Sequence, residues 1–189
     1  LIVVDTHKKN YVESEEILEK CPKVVIIDHH RRSADFIENA TLMFQEVYAS
    51  SAAELVTELL QYATQKVDLK TIEAESLYAG IMMDTKNFTF KTGVRTFEAA
   101  AYLRRCGVDI IRVKKWFQSD LESFNKIADI VKRAEIVNDT IAISINKEKT
   151  KDASIVCAKA ADELLTISDI TASFVLGYME DKRICISGR

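Results

Sequence analysis

Asp28-His29-His30 follows the apolar run Val24-Val25-Ile26-Ile27, so a carboxylate and two imidazoles stand together where a strand should end. Oxygen and nitrogen donors at one point suit manganese, iron or zinc better than calcium. The same grammar opens the chain, where Leu1-Ile2-Val3-Val4 runs into Asp5, with His7 two residues beyond. All 3 histidines of the chain fall in these two segments. A third acid, Asp84, closes the stretch Tyr78-Ala79-Gly80-Ile81-Met82-Met83 just before a polar turn. Alone, such an Asp is a turn or cap residue. It gains meaning as the third carboxylate at the end of an apolar run.

Both tetrads are β-branched or leucine throughout, the pattern of strands buried on both faces of a parallel sheet. Ligands of such sheets bind outside the carboxyl ends of the strands, which places Asp5 and Asp28-His29-His30 on one edge. The remaining pattern alternates helix and strand. Strands are expected at 1–5 and 24–28, an edge strand near 42–47, and helices at 13–20, 71–84 and 95–106. Gly107 sits where a left-handed helix cap would fall. Ser51-Ala52-Ala53-Glu54 reads as a capping box that starts a helix running to about Thr64, with Leu55, Leu59 and Tyr62 on its buried side. Glu54 is accordingly a capping residue. Phe117, Leu121, Phe124, Ile127 and Val131 recur at helical spacing over 113–134, as one long helix with a buried stripe would require. Thr140 to Ile145 then alternates as a strand, followed by a helix at 153–165 and strands at 173–179 and 182–189.

Four segments, taken in order, resemble the DHH superfamily of phosphoesterases: Val3-Val4-Asp5, Ile27-Asp28-His29-His30-Arg31-Arg32, Tyr48-Ala49-Ser50-Ser51-Ala52-Ala53-Glu54, and Gly80-Ile81-Met82-Met83-Asp84-Thr85-Lys86-Asn87-Phe88. Within it the chain is most similar to bacterial cyclic-di-AMP phosphodiesterases of the GdpP type. The resemblance implies an α/β fold, with an incomplete, mostly parallel doubly wound DHH domain over 1–112, a connecting helix over 113–135, and the start of a mixed α/β DHHA1 domain over 136–189. It implies two divalent cations, most commonly Mn2+. Asp5 matches the bridging ligand, and His29 and Asp84 match ligands of the second ion. Asp28 matches an acid that completes or orients the cluster. His30 matches the histidine that faces substrate phosphate, so His30 and Asp28 are the expected catalytic pair. The closing Arg189 matches an arginine that approaches substrate phosphate, and Arg31 is a further candidate for that contact from its charge and place beside the cluster. His7 has no counterpart and reads as a neighbouring surface residue.

The reaction implied is hydrolysis of cyclic-di-AMP to the linear dinucleotide pApA. Its alternatives are cleavage of short oligonucleotides, as by nanoRNases, or of pyrophosphate, and a non-catalytic nucleotide-binding module. A His-x-x-x-Asp-x-Asp motif that precedes Asp5 in the family is absent, as is a glycine-rich histidine motif beyond Arg189. The chain therefore reads as a fragment expected to bind metal poorly and to be inactive alone. Its parent is expected to be membrane-anchored through upstream segments, with this part in the cytoplasm, and to dimerise.

Composition agrees with a folded catalytic piece. The 189 residues are 48% hydrophobic, enough to bury a sizeable core. A net charge of -3 argues against binding duplex nucleic acid. Lys8, Lys9, Arg31 and Arg32, beside the acid clusters, remain candidates for holding a small phosphate ligand. The 4 cysteines, Cys21, Cys106, Cys157 and Cys185, lack Cys-x-x-Cys spacing, which fits reduced thiols rather than a zinc site.

Overall fold

A computed structural model describes residues 1–63, 67–149, 152–181 and 183–189. Thr64 and Lys182, named above as the ends of a helix and a strand, lie outside the described residues. The chain forms two compact units, Leu1–Phe117 and Gln118–Arg189.

The first unit is built on a three-stranded parallel sheet of β1 (Ile2–Val4), β2 (Val25–Asp28) and β3 (Leu42–Gln45), in that order. Between β1 and β2 runs α1 (Glu15–Lys20), capped by the Ser14 hydroxyl, which accepts from the Ile17 amide. Val4 pairs with Ile27, and the Asp5 amide donates to the Ile27 carbonyl at 2.9 Å. Parallel register thus delivers Asp5 and Asp28 side by side at the carboxyl ends of neighbouring strands. β2 is covered on both faces. Ile26 packs with Val3, Leu18 and Ile37, and Ile27 packs with Ala49 and Leu55. β1 differs from expectation, because only Val3 is buried while Ile2 and Val4 are exposed. It is one of the two edge strands, and Leu55, which covers Ile27, lies on α2 (Ala52–Gln61).

In α2, Leu55 is buried as expected but Leu59 and Tyr62 face solvent. Ala52, Glu54 and Thr57 share the buried side instead, with small and hydrogen-bonded polar side chains in place of large apolar ones. The Ser51 hydroxyl caps the helix by accepting from the Glu54 amide at 3.0 Å. The Glu54 carboxylate reaches back one residue further than a capping box requires, accepting from the Ser50 hydroxyl at 2.5 Å. Helices α3 (Thr71–Asp84), α4 (Val94–Arg105) and α5 (Ile110–Trp116) enclose a second core of Ala74, Tyr78, Ile81, Ala99, Leu103 and Val108. Gly107 ends α4 at φ +100°, with its amide bonded to Arg104 O and that of Val108 to Leu103 O. That pair of bonds closes the helix only when the residue between is left-handed, the conformation glycine adopts without steric cost. Glu75, fully buried, accepts from the Asp109 amide and from Arg112 Nε at 2.8 Å, tying α3 to α5.

The single helix expected over 113–134 is two, because α6 (Leu121–Lys132) starts afresh after Asp120, whose carboxylate caps it by accepting from the Ser123 amide at 2.8 Å. The aromatic stripe is accordingly not a core. Phe117, Leu121 and Phe124 are exposed, and Ile127 and Ile130 carry the burial.

In the second unit, β4 (Glu135–Val137), β5 (Ile141–Asn146), β6 (Ala172–Tyr178) and β7 (Ile184–Gly188) form a sheet in chain order. β5 and β6 are parallel, connected through α7 (Ala153–Leu164), and the outer pairs are antiparallel. This is the mixed sheet expected of the C-terminal part. Ala142, Val175, Cys157, Ala160, Ala161 and Leu164 make its core with Ile127 and Ile130. β4 escaped sequence reading because its three residues are all exposed and show no alternation.

Gly80 lies inside α3, where an added Cβ would meet Ala53 Cβ at 2.9 Å. Glycine to alanine in a helix interior ordinarily gains about 1 kcal/mol. Here the close approach of α2 should reverse the sign. Gly80→Ala is expected to lower the urea midpoint, by about 1–3 kcal/mol in stability; a rise would show that the two helices separate freely.

Candidate metal centre

Asp5 leaves β1 at φ 63°, a left-handed conformation that aspartate tolerates better than most residues. His29 follows β2 directly, and Asp84 is the last residue of α3. These three elements bring their side chains to one point. His29 Nε2 stands 3.3 Å from Asp5 Oδ1 and 3.6 Å from Asp84 Oδ2. Donor atoms of Asp5, His29 and His30 all lie within 4.8 Å of one another. Ligands about 2.0–2.2 Å from one cation are themselves separated by roughly 3.0–3.6 Å along a coordination edge, so the spacing fits a shared ion. The His29 ring is nine-tenths buried, and its Nδ1 has no hydrogen-bond partner among the described residues. All its polar interaction is made through Nε2, towards the two carboxylates. Burial pushes the Asp84 carboxyl up; His29 pulls it down and the neighbouring Asp5 adds to the rise, leaving it above the usual range. Two acids converging on one imidazole, one of them reluctant to ionise, form a place that a cation would relieve.

Asp28 is fully buried, and both its oxygens are engaged. Oδ1 accepts from His30 Nδ1 at 2.7 Å, and Oδ2 lies 2.5 Å from His7 Nδ1. It orients the cluster from beneath. Burial alone would raise its pKa, but the hydrogen bonds from His7 and His30 outweigh that and hold the carboxyl below the usual range. His7 is the clear departure from expectation. Read as a surface residue, it is 2% exposed, with Nε2 bonded to the Ser33 amide at 3.0 Å. Its side chain finds a buried acid on the adjacent strand, which local polarity in Asp5-Thr6-His7-Lys8 did not announce. Gln45, at the end of β3, was also missed. Its amide donates to the His30 carbonyl at 2.8 Å.

The segment after Asp84 is unusual. Lys86, Asn87 and Phe88 all have positive φ, at 46°, 58° and 62°. Left-handed backbone costs roughly 1–2 kcal/mol per non-glycine residue, so this turn needs support. Thr85 supplies it. Its fully buried hydroxyl donates to Ile81 O at 2.6 Å and accepts from the Phe88 amide at 2.9 Å, while its carbonyl accepts from the Thr89 and Phe90 amides. The Phe88 ring then packs against Tyr78 and Phe97, with centroids 5.6 and 5.8 Å away. Asp84 is thereby held at a fixed helix end.

A cleft of about 600 Å³ opens beside the cluster, lined by Asp5, His7, Lys8, Tyr11, His30 and Arg31 among others. Of the four basic candidates, Lys8 and Arg31 line this cleft. Lys9 is engaged with Glu19 at 2.6 Å, and Arg32 lies 3.9 Å above the Phe36 ring. Arg189 belongs to the second unit, where its Nε donates to Asp162 Oδ1 at 2.9 Å. All 4 cysteines are free thiols, and the Cys157 and Cys185 sulfurs lie 3.9 Å apart.

Residues 1–81 match the model of the DHH family, N-terminal domain. The whole chain is 43% identical to the cyclic-di-AMP phosphodiesterase PdeA of Listeria monocytogenes, covering 29% of that protein. It is 45% identical over 189 residues to the cyclic-di-AMP phosphodiesterase GdpP of Geobacillus thermodenitrificans, again covering 29%. The chain thus spans less than a third of the length of these curated relatives. Among solved structures, an exopolyphosphatase-related protein from Bacteroides fragilis superposes with a TM-score of 0.86 at 18% identity, over all of this chain and 58% of that one. At that identity the likeness is one of fold.

Removing the hydroxyl that holds the left-handed turn should leave the Phe88 amide without its acceptor, while the Ile81 carbonyl keeps only the Thr85 amide. Thr85→Val is expected to cost about 1–3 kcal/mol in chemical denaturation, with Thr85→Ser retaining most of the stability. Equal behaviour of the two variants would place the support of the turn elsewhere.

Proposed function

We propose, from the match of residues 1–81 to the model of the DHH family, N-terminal domain, that the protein carrying this chain is a divalent-cation-dependent phosphodiesterase of that family that opens cyclic-di-AMP to the linear dinucleotide. The observation that carries the reading is the convergence of Asp5, His29 and Asp84 at the carboxyl edge of a parallel sheet, beside a cleft with cationic walls. Relatives of 43–45% identity that bear the cyclic-di-AMP phosphodiesterase name support the substrate class.

Asp5, His29 and Asp84 would hold the metal, with manganese the preferred ion. Bound divalent cations at such a site neutralise phosphodiester charge and acidify water. The chain's own groups do the rest. His30 shares its Nδ1 proton with Asp28, so its Nε2 can take a proton from the attacking water and, once charged, donate to a phosphoryl oxygen. Asp28 stabilises the imidazolium in that interval. Lys8 and Arg31 offer positive charge to the phosphates and Tyr11 an aromatic face to a base. We assign the second unit to the start of a DHHA1 domain, on its mixed sheet. The same reading makes this chain the cytoplasmic part of a membrane-anchored protein that associates in pairs; among the described residues no helix is long and apolar enough to cross a membrane.

The test is turnover by the longer protein of cyclic-di-AMP, a short oligoribonucleotide and pyrophosphate, with and without Mn2+. Cyclic-di-AMP should be preferred, and chelation should abolish its cleavage reversibly. Asp5→Asn and Asp84→Asn should each lower kcat by more than about 100-fold, beyond the loss typical of residues that only support a ligand. Calorimetry should show Mn2+ binding weakened in both. Faster cleavage of the oligoribonucleotide or pyrophosphate would reassign the substrate. No cleavage of any, with dinucleotide binding intact, would make this a sensor.

A further inference from the structure

His7 lies outside the cluster that faces the cleft's reacting edge, yet it is the least exposed of the three histidines, and its surroundings leave little freedom. A backbone amide can only donate, so the Ser33 N–H at 3.0 Å requires a lone pair on His7 Nε2. The proton of the neutral ring then sits on Nδ1, which donates to Asp28 Oδ2. The Gln45 amide donates to the His30 carbonyl at 2.8 Å and stands 3.3 Å from His7 Nδ1, farther than the Asp28 oxygen at 2.5 Å, a carboxylate that can only accept. With Oδ2 occupied, Asp28 turns Oδ1 to His30, whose Nδ1 and backbone amide both point at it, at 2.7 and 3.3 Å.

The geometry points to His7 as a positioning residue: the Ser33 amide fixes its tautomer, His7 fixes the rotation of the buried Asp28 carboxylate, and Asp28 fixes His30 with its proton on Nδ1 and its Nε2 lone pair free. This deepens the proposed function and rests on it for its catalytic consequence. The structural argument is separate. Asp28 is 0% exposed and His7 2% exposed. A buried carboxylate oxygen without its donor would rotate to find another, and the only other imidazole within reach already holds Oδ1. Loss of the His7 donor therefore releases His30, two hydrogen bonds away.

Two substitutions separate the nitrogens of His7. Asparagine places an amide N–H where Nδ1 stands, while glutamine places its amide where Nε2 stands and leaves Asp28 Oδ2 without a donor. In the longer protein, His7→Asn should keep kcat within about threefold of wild type, and His7→Gln should lower it about 10–100-fold at nearly constant KM, the range seen when a supporting hydrogen bond is lost. A readout free of activity comes from long-range proton–nitrogen spectra of the imidazoles in the metal-free chain, which holds 3 histidines. Wild type should show His7 and His30 both as Nδ1–H tautomers, and His7→Gln should turn His30 into a mixture. An Nε2–H tautomer for His7 in wild type overturns the proposal without any variant. So does an unchanged His30 signal in a folded His7→Gln, or equal kcat in the two variants. Spectra as expected, in a wild-type protein that cleaves no phosphodiester, would overturn the functional reading and leave the positioning of His30 standing.

Discussion

The structure of the first unit depends on one buried carboxylate. Taking Asp28 out of water costs several kcal/mol unless every lone pair that faces protein is matched. The fold meets that demand with two imidazoles, one on each oxygen, and a backbone amide behind one of them. Each partner fixes a piece of architecture. His7 must enter from the loop after β1, which ties the register of β1 to β2. Ser33 must fold its amide over His7, which sets the path of the chain beyond β2. His30 must stay beside Asp28, so His29, its immediate neighbour, is turned the other way, towards Asp5 and Asp84. The cluster that can hold a metal is in this sense the exposed side of a buried polar network.

Strain is concentrated around the same edge. Asp5 is left-handed, and so are the three residues that begin two positions after Asp84. Such conformations persist only where neighbouring contacts over-determine them. For Asp5 the restraint is its amide bond to Ile27 across the sheet. For the turn it is Thr85, which directly follows α3 and bonds the Ile81 carbonyl and the amides of Phe88, Thr89 and Phe90, and the packing of the Phe88 ring. Two of the converging carboxylates therefore stand at backbone positions that are rigid for reasons unrelated to a ligand. A site assembled that way loses little conformational freedom when a cation arrives.

Most of this edge could be read from the sequence, because its signal is local. An apolar tetrad ending in an acid marks a strand and its exit, and two such tetrads place Asp5 and Asp28 together once the sheet is parallel. Helices with sharp chemical ends were equally plain: α3 and α4 were anticipated to within a residue or so, the latter through Gly107. What escaped depends on partners remote in sequence. His7 is polar and sits among polar residues, and nothing local tells that its ring turns inward to an acid 21 positions on. Leu59 and Tyr62 continue the helical spacing of Leu55 but face solvent, where nothing local in the sequence sets them apart from it. The stripe from Phe117 to Val131 kept its period across a break, because the Asp120 cap interrupts the helix without interrupting the apolar spacing.

Asp28 and Asp84 show how one residue type serves opposite ends in the same few ångströms. Asp28 is fully buried and Asp84 only in part, with 37% of its side chain exposed, and burial pushes both towards the neutral acid. Asp28 has two imidazole donors and stays ionised, so it asks for nothing more and acts by holding others in place. Asp84 has a neighbouring carboxylate, and the His29 imidazole 3.6 Å away, with His30 and Lys91, offsets its burial only in part. Pairs of titratable groups driven apart in this way reveal their roles. The satisfied acid belongs to the scaffold, and the unsatisfied one belongs to whatever positive charge the site receives. Since Asp5 adds its own charge beside Asp84, the electrostatics of the edge favour a divalent ion over a lone ammonium or guanidinium, which would leave one of the two acids uncompensated.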